Sequence, residues 1–335
     1  MNWHNMTLME YIKSENRRFF LTDLGTNGLK FVDKKVYEVY NSPETQLKMA
    51  ERLDEEFPGD FIYPLSDGNI ISESLGVKLL KPDYDFPSPL EHKFTTTESI
   101  RNLEIPDPYS LKRMPTNLKS QNLISSNIDK PLYVSIFGPF TLAVQLAGAT
   151  HLLREIIKNK DFVIEILEYT KNAVREYAKA VVKAGVKYMS IAEPASVTLS
   201  PENFRELVLP RLNYVYDSVD CWKQLHICGD TWKFLDMMIE TNSDAISLDQ
   251  IMNMEEVIKH FPSDKILVGN LDPIRLIGKG TPDQVNKKTT ELLDKMEPYD
   301  NFMMAFGCNA PNDAPDENIK EAIRVTKNRF RDYGN

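Results

Sequence analysis

Eight short runs rich in β-branched and aromatic residues recur along the chain, each ending on a polar residue, a cysteine or a glycine. They cover 19–23, 61–67, 132–138, 187–193, 223–228, 245–249, 265–270 and 302–308. Short apolar runs bounded in this way read as strands. Between the later runs the spacing turns helical. The stretch 152–183 carries Ile157, Phe162, Ile164, Ile166, Leu167 and Val174 at helical intervals and is long enough for two helices. Ser200-Pro201-Glu202 opens another, with a serine placed to cap it and proline at the first helical position. Pro282 after Thr281 and Pro315 after Ala314 mark two further starts. Strands alternating with helices imply βα units and a parallel sheet, and eight units imply an α/β fold closed as a TIM (β/α)8 barrel. A single domain over 1–335 is expected, a length such barrels commonly reach. The proline-rich stretch 76–130 is expected to be an insertion, with a hairpin pairing 76–80 with 91–94. The first two runs fit least well, because Pro64 has no N–H to give a central strand.

Barrel enzymes place their functional residues at the C-terminal ends of the strands. The polar ends of the runs are therefore candidates as a group: Asp67, Gly138, Glu193, His226, Cys228, Asp249, Asn270 and Cys308. His226-Ile227-Cys228 has i, i+2 spacing, which puts imidazole and thiol on one face of a strand but would part them on a helix. Cys308 ends the last run, and strands five and eight can meet across the mouth of a closed barrel. Two thiolates and an imidazole are the ligand set of a catalytic zinc site whose fourth position is open. A buried cysteine can equally be a small hydrophobe; the equivalent position of Cys308 tips the balance towards metal. Cys221 follows an apolar helical stretch and reads as packing, while His4, His92, His151 and His260 lack paired ligand spacing. Glu193 and Asp249 are candidate catalytic groups, as acid or base, as a fourth ligand, or as a hydrogen-bond partner orienting His226. For Asp249 a capping or ion-pair role competes. Asn270 and Asp67 are candidate substrate contacts.

Composition narrows the class. Forty-nine acidic against 40 basic side chains give a formal charge of -9, opposite to a nucleic-acid-binding surface. The first 20 residues lack the apolar core of a signal peptide, and no window reaches the ~20 apolar residues a membrane span needs. Three cysteines are too few for a disulfide framework and suit a reducing compartment, so a cytoplasmic location is expected. A homodimer is compatible with the sequence.

Six motifs in order give a resemblance. They are Gly138-Pro139-Phe140-Thr141, Glu193-Pro194 with Leu199-Ser200-Pro201-Glu202-Asn203-Phe204, Leu225-His226-Ile227-Cys228-Gly229, Leu248-Asp249, Gly269-Asn270-Leu271-Asp272-Pro273 and Gly307-Cys308-Asn309-Ala310-Pro311. The chain resembles the uroporphyrinogen decarboxylase superfamily and, within it, the zinc-dependent, corrinoid-linked methyltransferases. That resemblance implies a TIM barrel, zinc held by His226, Cys228 and Cys308, and a corrinoid (cobalamin) brought by a partner protein, since the chain has no Asp-x-His-x-x-Gly cobalamin motif of its own. Zinc would act as a Lewis acid on a small methyl donor or acceptor, either a thiol or a methyl ether. The decarboxylases need no metal and use an N-terminal arginine signature that Arg17-Arg18 do not reproduce. The coenzyme M methyltransferases usually carry an Asp-Arg-x-Pro turn near the N-terminus, which 9–19 lacks. Demethylation of a methoxylated aromatic with Co(I) corrinoid as acceptor therefore ranks first and a methylcorrinoid:thiol methyltransferase second. A corrinoid-independent homocysteine methyltransferase and a non-catalytic zinc-binding homologue are the remaining alternatives.

Overall fold

The structure, a computed structural model, describes residues 3–330. Nine strands form among these residues: β1 (Phe20–Leu21), β2 (Leu79–Leu80), β3 (Ser88–Pro89), β4 (Tyr133–Phe137), β5 (Tyr188–Ala192), β6 (Trp222–Ile227), β7 (Ala245–Leu248), β8 (Ile266–Leu271) and β9 (Phe302–Phe306). Seven of them make one sheet in the order β1-β9-β8-β7-β6-β5-β4, every pair parallel. The expected second strand fills the gap between β1 and β4. Asp60 N–H donates to Phe20 O on the β1 side, while Ile62 N–H donates to Pro131 O and Ile62 O accepts from Tyr133 N–H on the β4 side. Pairing there is a single bridge, Ile62 with Leu132. Pro64 stops it two residues later, for the missing N–H noted above. The result is the α/β TIM-type barrel the alternation predicts.

Side chains alternate along each strand as a closed parallel sheet requires. One set, including Leu225, Ile227, Ile246 and Leu248, packs outward beneath the helices. The other fills the barrel. At its lower end Phe61, Tyr133, Tyr188, Trp222, Ile266 and Met303 form an apolar layer, closed from below by the helix Leu8–Ile12. Tyr11 on that helix stacks on Trp222 at 5.1 Å between ring centroids, and its hydroxyl donates to Asp60 O at 2.8 Å. Above lies a polar layer in which Gln224 Nε2 donates to Tyr133 Oη (3.0 Å) and Ser190 Oγ (3.2 Å). The inward series on β6 thus runs Trp222, Gln224, His226, from sealed base to mouth.

The helices begin where the sequence places them. The stretch 152–183 resolves into Ala149–Lys158 and Lys160–Lys183. Ser200 accepts from Asn203 N–H, and Thr281 forms a capping box with Gln284. One local expectation is corrected. The hairpin inside 76–130 pairs β2 with β3, not with 91–94. Phe94 is buried and its N–H goes to Leu146 O, which takes that stretch out of reach of β2. No helix among the described residues is long and apolar enough to cross a membrane.

Candidate metal centre at the barrel mouth

His226 is the last inward residue of β6, and Cys228 follows just past the strand end. Cys308 comes two residues after β9, across the mouth. The ligand atoms of all three lie within 4.8 Å of one another. Cys228 Sγ is 3.2 Å from His226 Nε2 and 3.8 Å from Cys308 Sγ, and both cysteines are free thiols. An ion held tetrahedrally with metal–sulfur bonds of about 2.3 Å separates two thiolates by about 3.8 Å. The sulfur pair already stands at that spacing; the imidazole sits a few tenths of an ångström inside it. The donor set and its spacing fit zinc.

Ser247 sets the imidazole. It lies beside His226 in the β6–β7 register, and its Oγ is 3.0 Å from His226 Nδ1. An Nδ1–H donated to Ser247 leaves the Nε2 lone pair facing the thiols, the support metal-bound histidines generally have. Sequence reasoning missed Ser247. Its signal was a serine in the middle of an apolar run, on the face shared with His226. Ser247→Ala is expected to weaken zinc binding roughly 10–100-fold with the fold unchanged. Competition with a chromophoric chelator measures this, and an unchanged affinity would remove Ser247 from the site.

The electrostatics favour a thiolate at Cys308. A hydrogen bond from Cys228 draws its proton affinity down, helped by His226, although burial opposes this. Cys228 is pushed up in turn by the hydrogen bond to Cys308 and by burial. Burial works against a charged His226, but the Cys308 contacts outweigh it and raise its pKa. Asp23, at the end of the first run, faces the same space and was also missed, although the strand-end rule applies to it. Burial pushes its carboxyl up to about 7, with the Cys308 charge adding to the shift, and Asn309 Nδ2 donates to its Oδ1.

The other predicted residues are each held by hydrogen bonds or ion pairs of their own. Glu193 was expected in the mouth, but its side chain turns under the helix Pro139–Ala147 and is fully buried. It accepts from Phe140 N–H (3.0 Å), Thr141 N–H (2.8 Å) and Thr141 Oγ (2.7 Å). Gly138 makes room, since a Cβ there would lie 2.2 Å from Glu193 Oε1. Asp249 accepts from Gly229 N–H (2.9 Å) and Ile251 N–H (3.0 Å), bracing the loop that follows Cys228. Asn270 Nδ2 donates to Asp249 O (2.8 Å) and Met252 O (2.7 Å). Gly307 allows Cys308 its turn, because a Cβ there would meet Gln250 N at 2.4 Å. Asp67 is buried in an ion pair with Arg113 at 2.6 Å. Arg17 pairs with Asp60 (2.6 Å), and Arg18 donates to the carbonyls of Met296, Glu297 and Tyr299, so both are tied to the backbone layer below.

Beside the metal-ligand cluster is a cavity of about 340 Å³, lined by Tyr63, Ser66, Gly68, Asn69, Phe86, Pro87, Ser88, Pro89, Ser135, Phe137, Gln145 and Asn309. Ser135, Phe137 and Asn309 also line the space around His226, Cys228 and Cys308, so the two share a wall.

Residues 27–329 match the uroporphyrinogen decarboxylase (URO-D) family. The chain belongs to that family. Its curated relatives include the methylcobamide:CoM methyltransferase MtbA of Methanosarcina mazei, 30% identical over 72% of this chain and 71% of the relative. The methylated-thiol–coenzyme M methyltransferase of the same organism is 27% identical over 79% of this chain and 71% of the relative. A solved methyltransferase from Methanosarcina mazei superposes with a TM-score of 0.87 at 23% identity, covering 95% of this chain and 96% of the other, which shows a shared fold.

Proposed function

We propose that the protein is a zinc-dependent methyltransferase that moves a methyl group between a small substrate and a corrinoid carried by another protein. The observation that carries this reading is the convergence of His226 Nε2 and two thiols within 4.8 Å of one another in the barrel mouth, in a chain whose relatives include methylcobamide:CoM methyltransferases. A bound zinc ion supplies Lewis acidity to a substrate heteroatom, sulfur or oxygen, through the position the three protein ligands leave free. His226, held by Ser247, presents one nitrogen; Cys228 and Cys308 present two negative sulfurs that balance the ion's charge. Asp249 and Asn270 brace the loops behind Cys228. Glu193 keeps the helix Pro139–Ala147, and with it the start of the mouth wall, in place. Asp23 offers a carboxylate to hold or release a proton at the mouth.

The relatives' names favour a thiol partner over a methoxylated aromatic. A porphyrin carboxylate substrate is disfavoured by the lining of the mouth, which holds no arginine or lysine among the described residues. The test is a spectroscopic methyl-transfer assay with Co(I) cobalamin and methoxyaromatics, methylamines and methanol, and with methylcobalamin and thiols. In the forward case the cobalt electron pair forms the new carbon bond and the pair of the broken bond stays on the heteroatom. We expect turnover with at least one class, abolished by a chelator and restored by zinc. Full-rate transfer by metal-free protein, or transfer from a folate to homocysteine without corrinoid, would overturn the reading.

A further inference from the structure

The two sulfurs placed to hold zinc also stand against each other. Cys228 follows β6 and Cys308 follows β9, strands that are not neighbours in the sheet, yet their Sγ atoms are 3.8 Å apart and both are free thiols. A disulfide holds its sulfurs about 2.05 Å apart, so bonding would draw them together by less than ~2 Å. Rotation about the two Cα–Cβ bonds can supply much of that, and the chain beside Cys228 has slack. Gly229, at φ +88°, continues the chain where a Cβ would meet nothing nearer than Val197 Cγ2 at 3.4 Å.

Access and partner choice point the same way. Neither thiol is sealed in the core. The space of about 100 Å³ that they line with Asp23, Ser135 and Asn309 holds a molecule as small as hydrogen peroxide, since a water occupies roughly 30 Å³. Cys221, the remaining cysteine, offers no alternative partner. It lies at the other end of β6, seven residues before Cys228 and so roughly 23 Å away along the strand, buried among core side chains. Zinc and a disulfide compete for the same sulfurs. A cysteine binds metal as its thiolate, and a sulfur bonded to sulfur has no thiolate to give. A Cys228–Cys308 disulfide would leave His226 as the one remaining donor of the set.

We propose that Cys228 and Cys308 form a redox switch, in which a peroxide joins them as a disulfide that excludes zinc and a thiol reductant restores the metal site. This rests on the zinc site in the function proposed above and adds its regulation. Either sulfur can start. The ionised one attacks the peroxide: an S–O bond forms, the O–O bond breaks, and the hydroxide that leaves takes up the proton the thiol released. The other thiol then attacks the sulfenic acid. The S–S bond forms, the S–O bond breaks, and the hydroxyl departs as water with that thiol's proton. Two thiols give up two electrons, hydrogen peroxide takes them, and two waters result. A dithiol reverses the bond through a mixed disulfide. The switch closes the site under the same oxidising conditions that consume Co(I).

The test treats zinc-loaded and chelator-treated protein with stoichiometric hydrogen peroxide, then counts thiols on the unfolded chain and maps its peptides by mass. In the chelator-treated protein we expect free thiols to fall from three to one, with the peptides bearing Cys228 and Cys308 joined within one chain, and dithiothreitol to restore all three. The zinc-loaded protein should react more slowly, and a chromophoric chelator should report about one zinc released for each disulfide formed. Cys221→Ser should react in the same way, its thiols falling from two to none. Cys228→Ser should stop at the sulfenic acid, which a 1,3-dione traps, because no second thiol is in reach. Three thiols surviving in metal-free protein, thiols lost irreversibly to sulfinic acid, a bond only between chains, or a disulfide in protein that keeps its zinc would each overturn the switch. The two readings fail separately. A reversible Cys228–Cys308 bond that releases zinc from a protein inactive with every methyl donor and acceptor sinks methyl transfer and leaves the switch standing. Methyl transfer by a protein whose two thiols never pair does the reverse.

Discussion

Cys308→Ser is expected to strip the protein of zinc and of methyl transfer together. The wild-type chain should carry about one zinc per molecule by elemental analysis, because His226, Cys228 and Cys308 form the one cluster of possible ligands found among the described residues. A serine hydroxyl at 308 does not ionise near neutral pH, so the variant would hold the ion by one sulfur and one nitrogen. Loss of a hydrogen bond behind a ligand costs roughly 10–100-fold in affinity or activity; loss of the ligand itself should cost more than that. Cys221→Ser is the control. Cys221 is buried among core side chains, and burial pushes its thiol up to about 12, far from a ligand's state. It should lose some stability and keep its metal. Zinc binding should also weaken in acid, since both thiols must shed protons to bind it. A Cys308→Ser protein that retains stoichiometric zinc would refute the assigned site.

The sequence shows the barrel more fully than it shows the mouth. Strand existence was legible because apolar runs ending on polar residues recur eight times, and the spacing of His226 and Cys228 has a meaning only on a strand. The hairpin partner of β2 was not legible. Its choice depends on Phe94 finding Leu146, a contact between distant parts of the chain. Asp23 and Ser247 were within reach of the same strand-end and strand-face rules that gave Cys308. Glu193 shows where those rules stop. They give the residue's position at the end of β5 but not the direction of its long side chain, which is decided by unsatisfied N–H groups at the start of the helix Pro139–Ala147, which follows the neighbouring strand β4. Phe86 and Gln145 were beyond sequence reasoning altogether, because a hairpin in the insertion and a helix after β4 bring them together only in three dimensions.

Glu193→Ala is expected to act on stability, and its effect should depend on pH in a defined direction. The carboxylate accepts three hydrogen bonds at the start of the helix Pro139–Ala147. Alanine leaves two buried N–H groups unpaired and opens a small cavity, together worth roughly 3 kcal/mol in mildly acidic solution. Burial pushes the Glu193 carboxyl up to about 7 from an ordinary 4.5, only partly offset by Thr141 and the Phe140 amide. A group whose folded pKa is raised contributes stability at low pH and loses it as pH climbs through the folded value. For this shift the contribution lost between pH 5.5 and 8.5 is about 2 kcal/mol. The gap between wild type and Glu193→Ala, read from urea unfolding, should therefore shrink from roughly 3 to roughly 1 kcal/mol across that range. A gap that widens with pH would mean the carboxylate is ionised and stabilising in the folded protein. A variant of wild-type stability with kcat lost and zinc retained would return Glu193 to the chemistry, whereas loss of activity in step with loss of folded protein fits a residue that holds the wall of the mouth.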